Sequence, residues 1–318
     1  MSANLVLPGE PETTLPKLFS DSTPNLQIAW DSTSMGWLQE CPRKYQLHML
    51  SRWSAKKMAA PLEFGILFHS AMVVYHKAQA EKVDYDEALH RTLQFCLTAG
   101  HNLDDSTDNR RTRFTLTRAV VWYLDQHRDD AVETVILDNG NPATELSFRV
   151  ELPRISETGD PYLWCGHIDR LGVLTGEYVV TDYKTTGSLG EQFESQFSPN
   201  IQVSGYLFAC NMLLKSLPMD KVLIDGIELK VNFNRFFRSF AHRSEAQLDE
   251  WVRNTCFHIR LAELYAQENY WPMNEKSCGN YGGCVFRGIC SKDPSVRDIW
   301  LAGDFYEREW NPLIAREA

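Results

Sequence analysis

Residues 162–187 read Y-L-W-C-G-H-I-D-R-L-G-V-L-T-G-E-Y-V-V-T-D-Y-K-T-T-G, and the reading of this stretch decides the fold. Two β-rich runs, 163–174 and 178–185, flank Thr175-Gly176-Glu177, which has the turn chemistry of a hairpin. The first run presents Asp169, and the second ends in Asp182-Tyr183-Lys184. Residues two apart on a strand share a face. Asp182 and Lys184 therefore project together, and a hairpin can bring Asp169 beside them. Two carboxylates with a lysine suit an oxygen-preferring divalent cation, Mg²⁺ or Mn²⁺. The lysine then orients or activates a water, or neutralises charge on a phosphoryl group. A D-x-K triplet is also common in plain salt-bridged hairpins, so the rest of the chain has to decide.

The chain has 318 residues, enough for one large domain or two ordinary ones. Hydrophobic residues at 43% and charged residues at 23% match a soluble globular protein with a sizeable core. There is no run of ~18 apolar residues and no basic region followed by an apolar leader. The expectation is a cytoplasmic protein with no membrane partner. A net charge of −10 argues against an extended nucleic-acid coat but leaves room for local basic tracks. Candidates are Arg43, Lys44, Arg52, Lys56 and Lys57, then Arg110, Arg111, Arg113 and Arg118, and then Arg235, Arg238 and Arg243. Each could equally be a solvated face.

Residues 1–26, rich in proline, serine and threonine, predict a mobile arm. Residues 27–318 then form a single domain: a helical part over 27–142, a β-rich core over 143–243, and a long helix with a cysteine loop over 244–318. Ser32 and Ser34 offer N-caps for a helix through 37–48. Pro42 interrupts it and leaves Cys41 near a helix start, which favours thiolate. A second helix over 61–80 has an apolar stripe of Leu67, Ala71, Val74 and Ala78. His69 lies off that stripe, with His76 as a surface neighbour two turns on. Helices are expected over 85–97 and 110–128, with a polar loop between them. Strand 143–152 opens the β-rich core, and Glu145 at its start reads as a surface residue or an outer carboxylate. Ser198-Pro199 starts a helix to 215, on which Gln202 and Tyr206 share a face. A further strand pair spans 221–231 and 235–242. Ser244, boxed by Gln247, caps a long helix to 269.

Cys278, Cys284 and Cys290 stand C-x5-C-x5-C in a glycine-rich loop. Three soft ligands need a fourth to complete a Cys₄ site. An iron–sulfur cluster, a structural Zn²⁺ or simple free thiols all remain open on spacing alone. Cys96, Cys165, Cys210 and Cys256 read as buried thiols.

Asp169, the D-x-K triplet at 182–184, the G-x-x-x-H run at 65–69 and the Q-x-x-x-Y run at 202–206 occur in an order that resembles the PD-(D/E)XK nuclease superfamily, in its RecB-like branch. The resemblance implies an α/β fold, a mixed sheet flanked by helices. It implies that Asp169, Asp182, His69 and the backbone carbonyl of Tyr183 hold Mn²⁺ or Mg²⁺, the imidazole favouring Mn²⁺. It gives Lys184 the water-positioning role and sets Gln202 and Tyr206 beside the substrate strand. C-P-R-K-Y at 41–45, with the three late cysteines, is similar to the 4Fe–4S staple of the AddB nuclease domain and the CRISPR-associated RecB-like exonucleases. That likeness makes Cys41 the fourth ligand. The first cysteine interval is longer here than the relatives' C-x2-C, and Zn²⁺ stays as the alternative. The activity so implied is that of a metal-dependent deoxyribonuclease, of exonuclease type, serving DNA processing, repair or recombination. With no G-x-x-x-x-G-K-[ST] loop in the chain, a helicase or recombination partner is compatible with it. Two other readings stand beside this one: a nuclease-fold DNA-binding partner that does not cut, and an Fe–S or Zn²⁺ regulatory protein. The last leaves the Asp169, Asp182, Lys184, Gln202 and Tyr206 array unexplained.

Overall fold

The hairpin of the sequence forms the centre of a mixed sheet in the computed structural model, which describes residues 3–6, 16–56, 58–105, 108–215 and 218–314. The strands are β1 (Ala3–Val6), β2 (Ala29–Trp30), β3 (Trp53–Ala55), β4 (Val132–Thr134), β5 (Thr144–Ile155), β6 (Pro161–Leu174), β7 (Glu177–Thr186), β8 (Lys221–Leu229), β9 (Asn234–His242) and β10 (Phe305–Glu307). The helices are α1 (Ser32–Glu40), α2 (Pro42–Tyr45), α3 (Ala60–Ala80), α4 (Tyr85–Ala99), α5 (Arg113–Gln126), α6 (Glu191–Ser195), α7 (Ile201–Leu213), α8 (Glu245–Gln267), α9 (Arg287–Cys290) and α10 (Arg297–Asp304).

The main sheet runs β1-β5-β6-β7-β8-β9, with β2 and β4 also pairing with β6. β6 and β7 are antiparallel, with Leu174 opposite Glu177. Thr175 and Gly176 both take positive φ, 52° and 87°, as a two-residue hairpin turn twisted with its strands requires. β7 and β8 are parallel, and the chain crosses between them through α6 and α7. Strand alternation then splits the side chains between two layers. Val180, Ile224, Phe148 and Trp164 join the core that the sheet shares with α1, α7 and α8. Tyr183 and Ile227 face the other way, into a core with Phe64, Phe68, Leu116 and Tyr123 of α3 and α5.

Gly205 positions α7. A Cβ there would drive into the indole of Trp164, so only glycine lets the helix lie this close to β6.

Several boundaries differ from the sequence reading for local reasons. Asp31, not Ser32 or Ser34, caps α1, and Ser34 completes its capping box. Asn200 caps α7 by accepting from the amides of Gln202 and Val203, so Pro199 precedes the helix instead of opening it. On α3 the inward face is Phe64, Phe68, Ala71, Met72 and Tyr75, larger side chains than the stripe first read. His76 is buried, not a surface residue: its Nε2 lies 3.2 Å from the Tyr183 hydroxyl. Burial holds its pKa down at about 3. Within the stretch expected as a mobile arm, β1 pairs with β5 and Leu26 is buried; residues 1, 2 and 7–15 lie outside the described residues. Cys96, Cys165 and Cys210 are buried, and Cys256 is half-buried.

Much of the basic material braces the fold. Arg238 spans Asp130 at 2.6 Å and Asp225 at 2.8 Å, and Arg170 meets Asp130 at 2.9 Å. Burial alone would raise Asp130, but these two guanidinium groups hold it well below the carboxylate range. Arg243 is buried and donates to Ser204 Oγ at 3.0 Å. Arg110 and Arg111 lean on Asp108. Lys57 lies outside the described residues. No helix among the described residues is long and apolar enough to cross a membrane.

Candidate active site

The antiparallel pairing of β6 and β7 ends at Arg170 opposite Thr181. One residue on, the Asp169 carboxylate replaces the ladder: the Tyr183 amide donates to Asp169 Oδ2 at 2.9 Å. His69, reaching in from α3, donates through Nε2 to the Tyr183 carbonyl at 2.7 Å. A carbonyl oxygen can only accept, so Nε2 carries the proton. The other ring nitrogen lies 3.4 Å from Asp169 Oδ2. Burial opposes charge on both groups, but their attraction outweighs it. His69 is raised from its ordinary pKa and Asp169 is lowered.

Across β5–β6, Thr144 pairs with Arg170 and Leu146 with Ile168, which sets Glu145 opposite Asp169. Glu145 is buried and takes φ 49°, in the left-handed region. One ligand atom each from His69, Glu145 and Asp169 lie within 4.8 Å of one another. Glu145 therefore belongs with the candidate ligands and is not a surface strand residue. Pattern alone could not place it, because its neighbourhood depends on the β5–β6 register.

Asp182 and Lys184 share a face of β7, with Lys184 Nζ 2.6 Å from Asp182 Oδ2. The same ammonium donates to Gln202 Oε1 at 3.0 Å, and Gln202 Nε2 donates to the Tyr206 hydroxyl at 2.9 Å. The two motifs thus meet as one polar chain, Asp182–Lys184–Gln202–Tyr206. Asp182 is buried, and its Oδ1 has no hydrogen-bond partner. Burial pushes its pKa up; the Lys184 ammonium opposes this and the Asp169 charge adds to it. A buried carboxylate oxygen with nothing to accept from, beside a His/Glu/Asp cluster, fits a hard divalent cation. A separate cavity of about 300 Å³ opens on the opposite face of the sheet, lined by His76, Tyr123, Arg170 and Tyr183. It contains none of these carboxylates.

The candidate sulfur ligands come from two distant parts of the chain, Cys41 and the 278–290 loop. Cys41 closes α1 and precedes Pro42. The Asn274 amide donates to its Sγ at 3.3 Å, Asn274 Nδ2 donates to the Glu40 carbonyl at 2.8 Å, and Arg43 Nε donates to the Trp271 carbonyl at 3.0 Å. The Cys284 amide bonds the Cys278 carbonyl at 3.0 Å and the Cys290 amide bonds that of Phe286 at 2.8 Å. Burial raises the Cys284 thiol, and Cys278 and Cys41 lie close enough to add to the shift. Cys290 is raised by burial too, with Cys284 and Cys41 adding. All eight cysteines are free thiols.

A family model described as the PD-(D/E)XK nuclease superfamily matches residues 33–291, from α1 to just past Cys290. No curated protein matches. One solved structure, titled "Putative exonuclease" from Eubacterium rectale, aligns with a TM-score of 0.49 and 11% identity, covering 88% of this chain and 94% of that one. Another, titled SSO0001, aligns with a TM-score of 0.30 and 12% identity, covering 74% of this chain and 98% of that one.

Proposed function

The chain belongs to the PD-(D/E)XK nuclease superfamily, and from that premise we propose that it is a divalent-cation-dependent deoxyribonuclease of exonuclease type, in the RecB-like branch. The observation that carries this reading is the unbroken polar chain Asp182–Lys184–Gln202–Tyr206 lying beside the His69, Glu145 and Asp169 cluster.

Asp169, Asp182, Glu145 and His69, with the Tyr183 carbonyl, would hold Mn²⁺ or Mg²⁺. The imidazole tilts the choice toward Mn²⁺. A cation there supplies positive charge against phosphoryl oxygens and makes water more acidic. Lys184 has three N–H donors; one goes to Gln202, and the ammonium is ion-paired with Asp182. A remaining donor is left to hold a water or a phosphoryl oxygen. Attack by that water on phosphorus forms one P–O bond and breaks the bond to the 3′ oxygen, which leaves as a hydroxyl. The product strand carries a 5′ phosphate. Gln202 and Tyr206 align the strand and hold the ammonium in place.

Cys41, Cys278, Cys284 and Cys290 would hold a 4Fe–4S cluster that ties the two ends of the domain together, with Zn²⁺ as the alternative occupant. Its role is structural. A helicase or recombination partner would supply the motor that the chain's motifs do not include.

The test is cleavage of linear single-stranded, linear duplex and circular DNA by anaerobically purified protein with Mn²⁺ or Mg²⁺, beside Lys184→Ala. Cutting of linear DNA by the wild type alone, with circles spared, is the expected result. Folded, iron-loaded protein that is inert in both forms would leave a DNA-binding partner that does not cut.

A further inference from the structure

Among the described residues, Arg118, on the outer face of α5, is hydrogen-bonded only to neutral oxygens. Its Nε donates to Asn234 Oδ1 at 2.9 Å, and its terminal nitrogens donate to the carbonyls of Val231 at 2.7 Å and Lys230 at 2.6 Å. The guanidinium carbon lies 5.4 Å from the ring centre of Trp122 and 5.9 Å from that of Phe114. These rings are not core: Phe114 is 72% exposed, Trp122 41% and Phe233, on the turn that Arg118 grips, 44%. Phe114 and Trp122 flank one guanidinium, and exposed apolar groups gathered on a protein surface mark an interaction site.

In a chain of net charge −10, this corner is locally cationic. Lys230 and Arg235 share one carboxylate, Glu228, and among the described residues Arg118 adds a cation with no carboxylate partner. Lys230 also donates to the Gly187 carbonyl at 2.8 Å. Gly187 stands three residues beyond Lys184, about 10 Å along an extended chain. The corner is thus continuous with the end of the D-x-K strand.

Exposed rings interleaved with cations bind unpaired bases. Each base offers a π-face to stack on, and the cations track the phosphates. In a duplex those faces are covered by neighbouring pairs. We propose that Phe114, Arg118, Trp122 and Phe233 form a stacking platform that holds single-stranded nucleic acid next to the end of β7. The proposal rests on the nuclease reading for its connection to Lys184 but makes its own claim about strand type.

The test measures fluorescence anisotropy of a labelled mixed-sequence DNA oligonucleotide, single-stranded and as a duplex, in a Lys184→Ala background so that bound strands survive. Adding Phe114→Ala with Trp122→Ala should weaken single-strand binding about tenfold or more, the loss of base stacking, and leave duplex affinity unchanged. Phe114→Tyr with Trp122→Phe should restore binding. Both residues are exposed, and matching circular dichroism would establish that the fold is intact. Unchanged single-strand affinity, or equal loss on duplex, overturns the platform. If that unchanged affinity came with loss of a dimer on sedimentation, the patch would belong to a second copy of this chain. Wild type that cuts no DNA, while the alanine pair still loses single-strand affinity, sinks the nuclease reading and keeps the platform. Wild type that cuts, with unchanged binding by the pair, does the reverse.

Discussion

Glu145 holds its carboxylate among His69 and Asp169 from a backbone position, φ 49°, that non-glycine residues adopt only at a cost of order 1 kcal/mol or more. A buried acid in a strained conformation, beside two other candidate ligands, is the residue on which cation binding can be tested with least damage. Glu145→Gln keeps the shape and removes the charge. Calorimetric titration of Mn²⁺ should show affinity at least about tenfold weaker than wild type, the usual size of losing a supporting or direct ligand. Equal affinity would remove Glu145 from the set. This carboxylate was visible in the sequence, but its partner was not. Asp169, Asp182 and Lys184 announce themselves by spacing along two strands, whereas Glu145 acquires its role through the β5–β6 register.

At the scale of elements, α7 carries Gln202 and Tyr206 to Lys184 because Gly205 lets it settle on Trp164. Gly205→Ala gains a little helix propensity but forces a Cβ into the indole. Overpacking should win, with a loss of about 1–3 kcal/mol in urea unfolding. A neutral or stabilising result would mean that α7 can slide without strain. On the other face, α3 is keyed to β7 through His76, buried neutral against the Tyr183 hydroxyl. Its pKa falls from 6.5 to about 3 on folding, so the unfolded chain binds the proton first. Its contribution is therefore complete above pH 6.5 and is lost progressively as the pH falls toward 3. At pH 5 the loss from this one group is about 2 kcal/mol. His76→Gln should flatten the dependence of unfolding free energy on pH between 7 and 5, and an unaltered slope would show that the proton is taken up elsewhere.

The molecule as a whole closes on itself through the sulfur end. The segment around Cys41 is laced through Asn274 and Arg43 to residues 271–274, just ahead of the loop that carries Cys278, Cys284 and Cys290. Under the proposed cluster, Cys41→Ser should lower the iron content of anaerobically purified protein and bring its Tm down. Equal iron content with unchanged Tm would rule out Cys41 as a ligand. The sheet between the two ends contributes its own stability through two cores on opposite faces, so the variant should keep its secondary structure by circular dichroism.

What the sequence determined by itself is whatever depends on near neighbours and periodicity. The hairpin at Thr175 and Gly176, the shared face of Asp182 and Lys184, the pairing of Gln202 with Tyr206, the break at Pro42 and the capping of α8 by Ser244 all follow from turn chemistry and the 2.0 and 3.6 residue periods. The family follows from the order of those local signals. The tertiary structure alone decided what depends on register and on which faces meet. It placed Glu145 opposite Asp169, buried His76, joined the two motifs through Lys184 and Gln202, and turned Arg238 and Arg243 from a candidate basic track into internal braces. It also left Phe114, Trp122 and Phe233 uncovered around Arg118. The physical reason is the same in each case: burial and long-range pairing are set by packing between distant segments, and spacing within one segment carries no record of it.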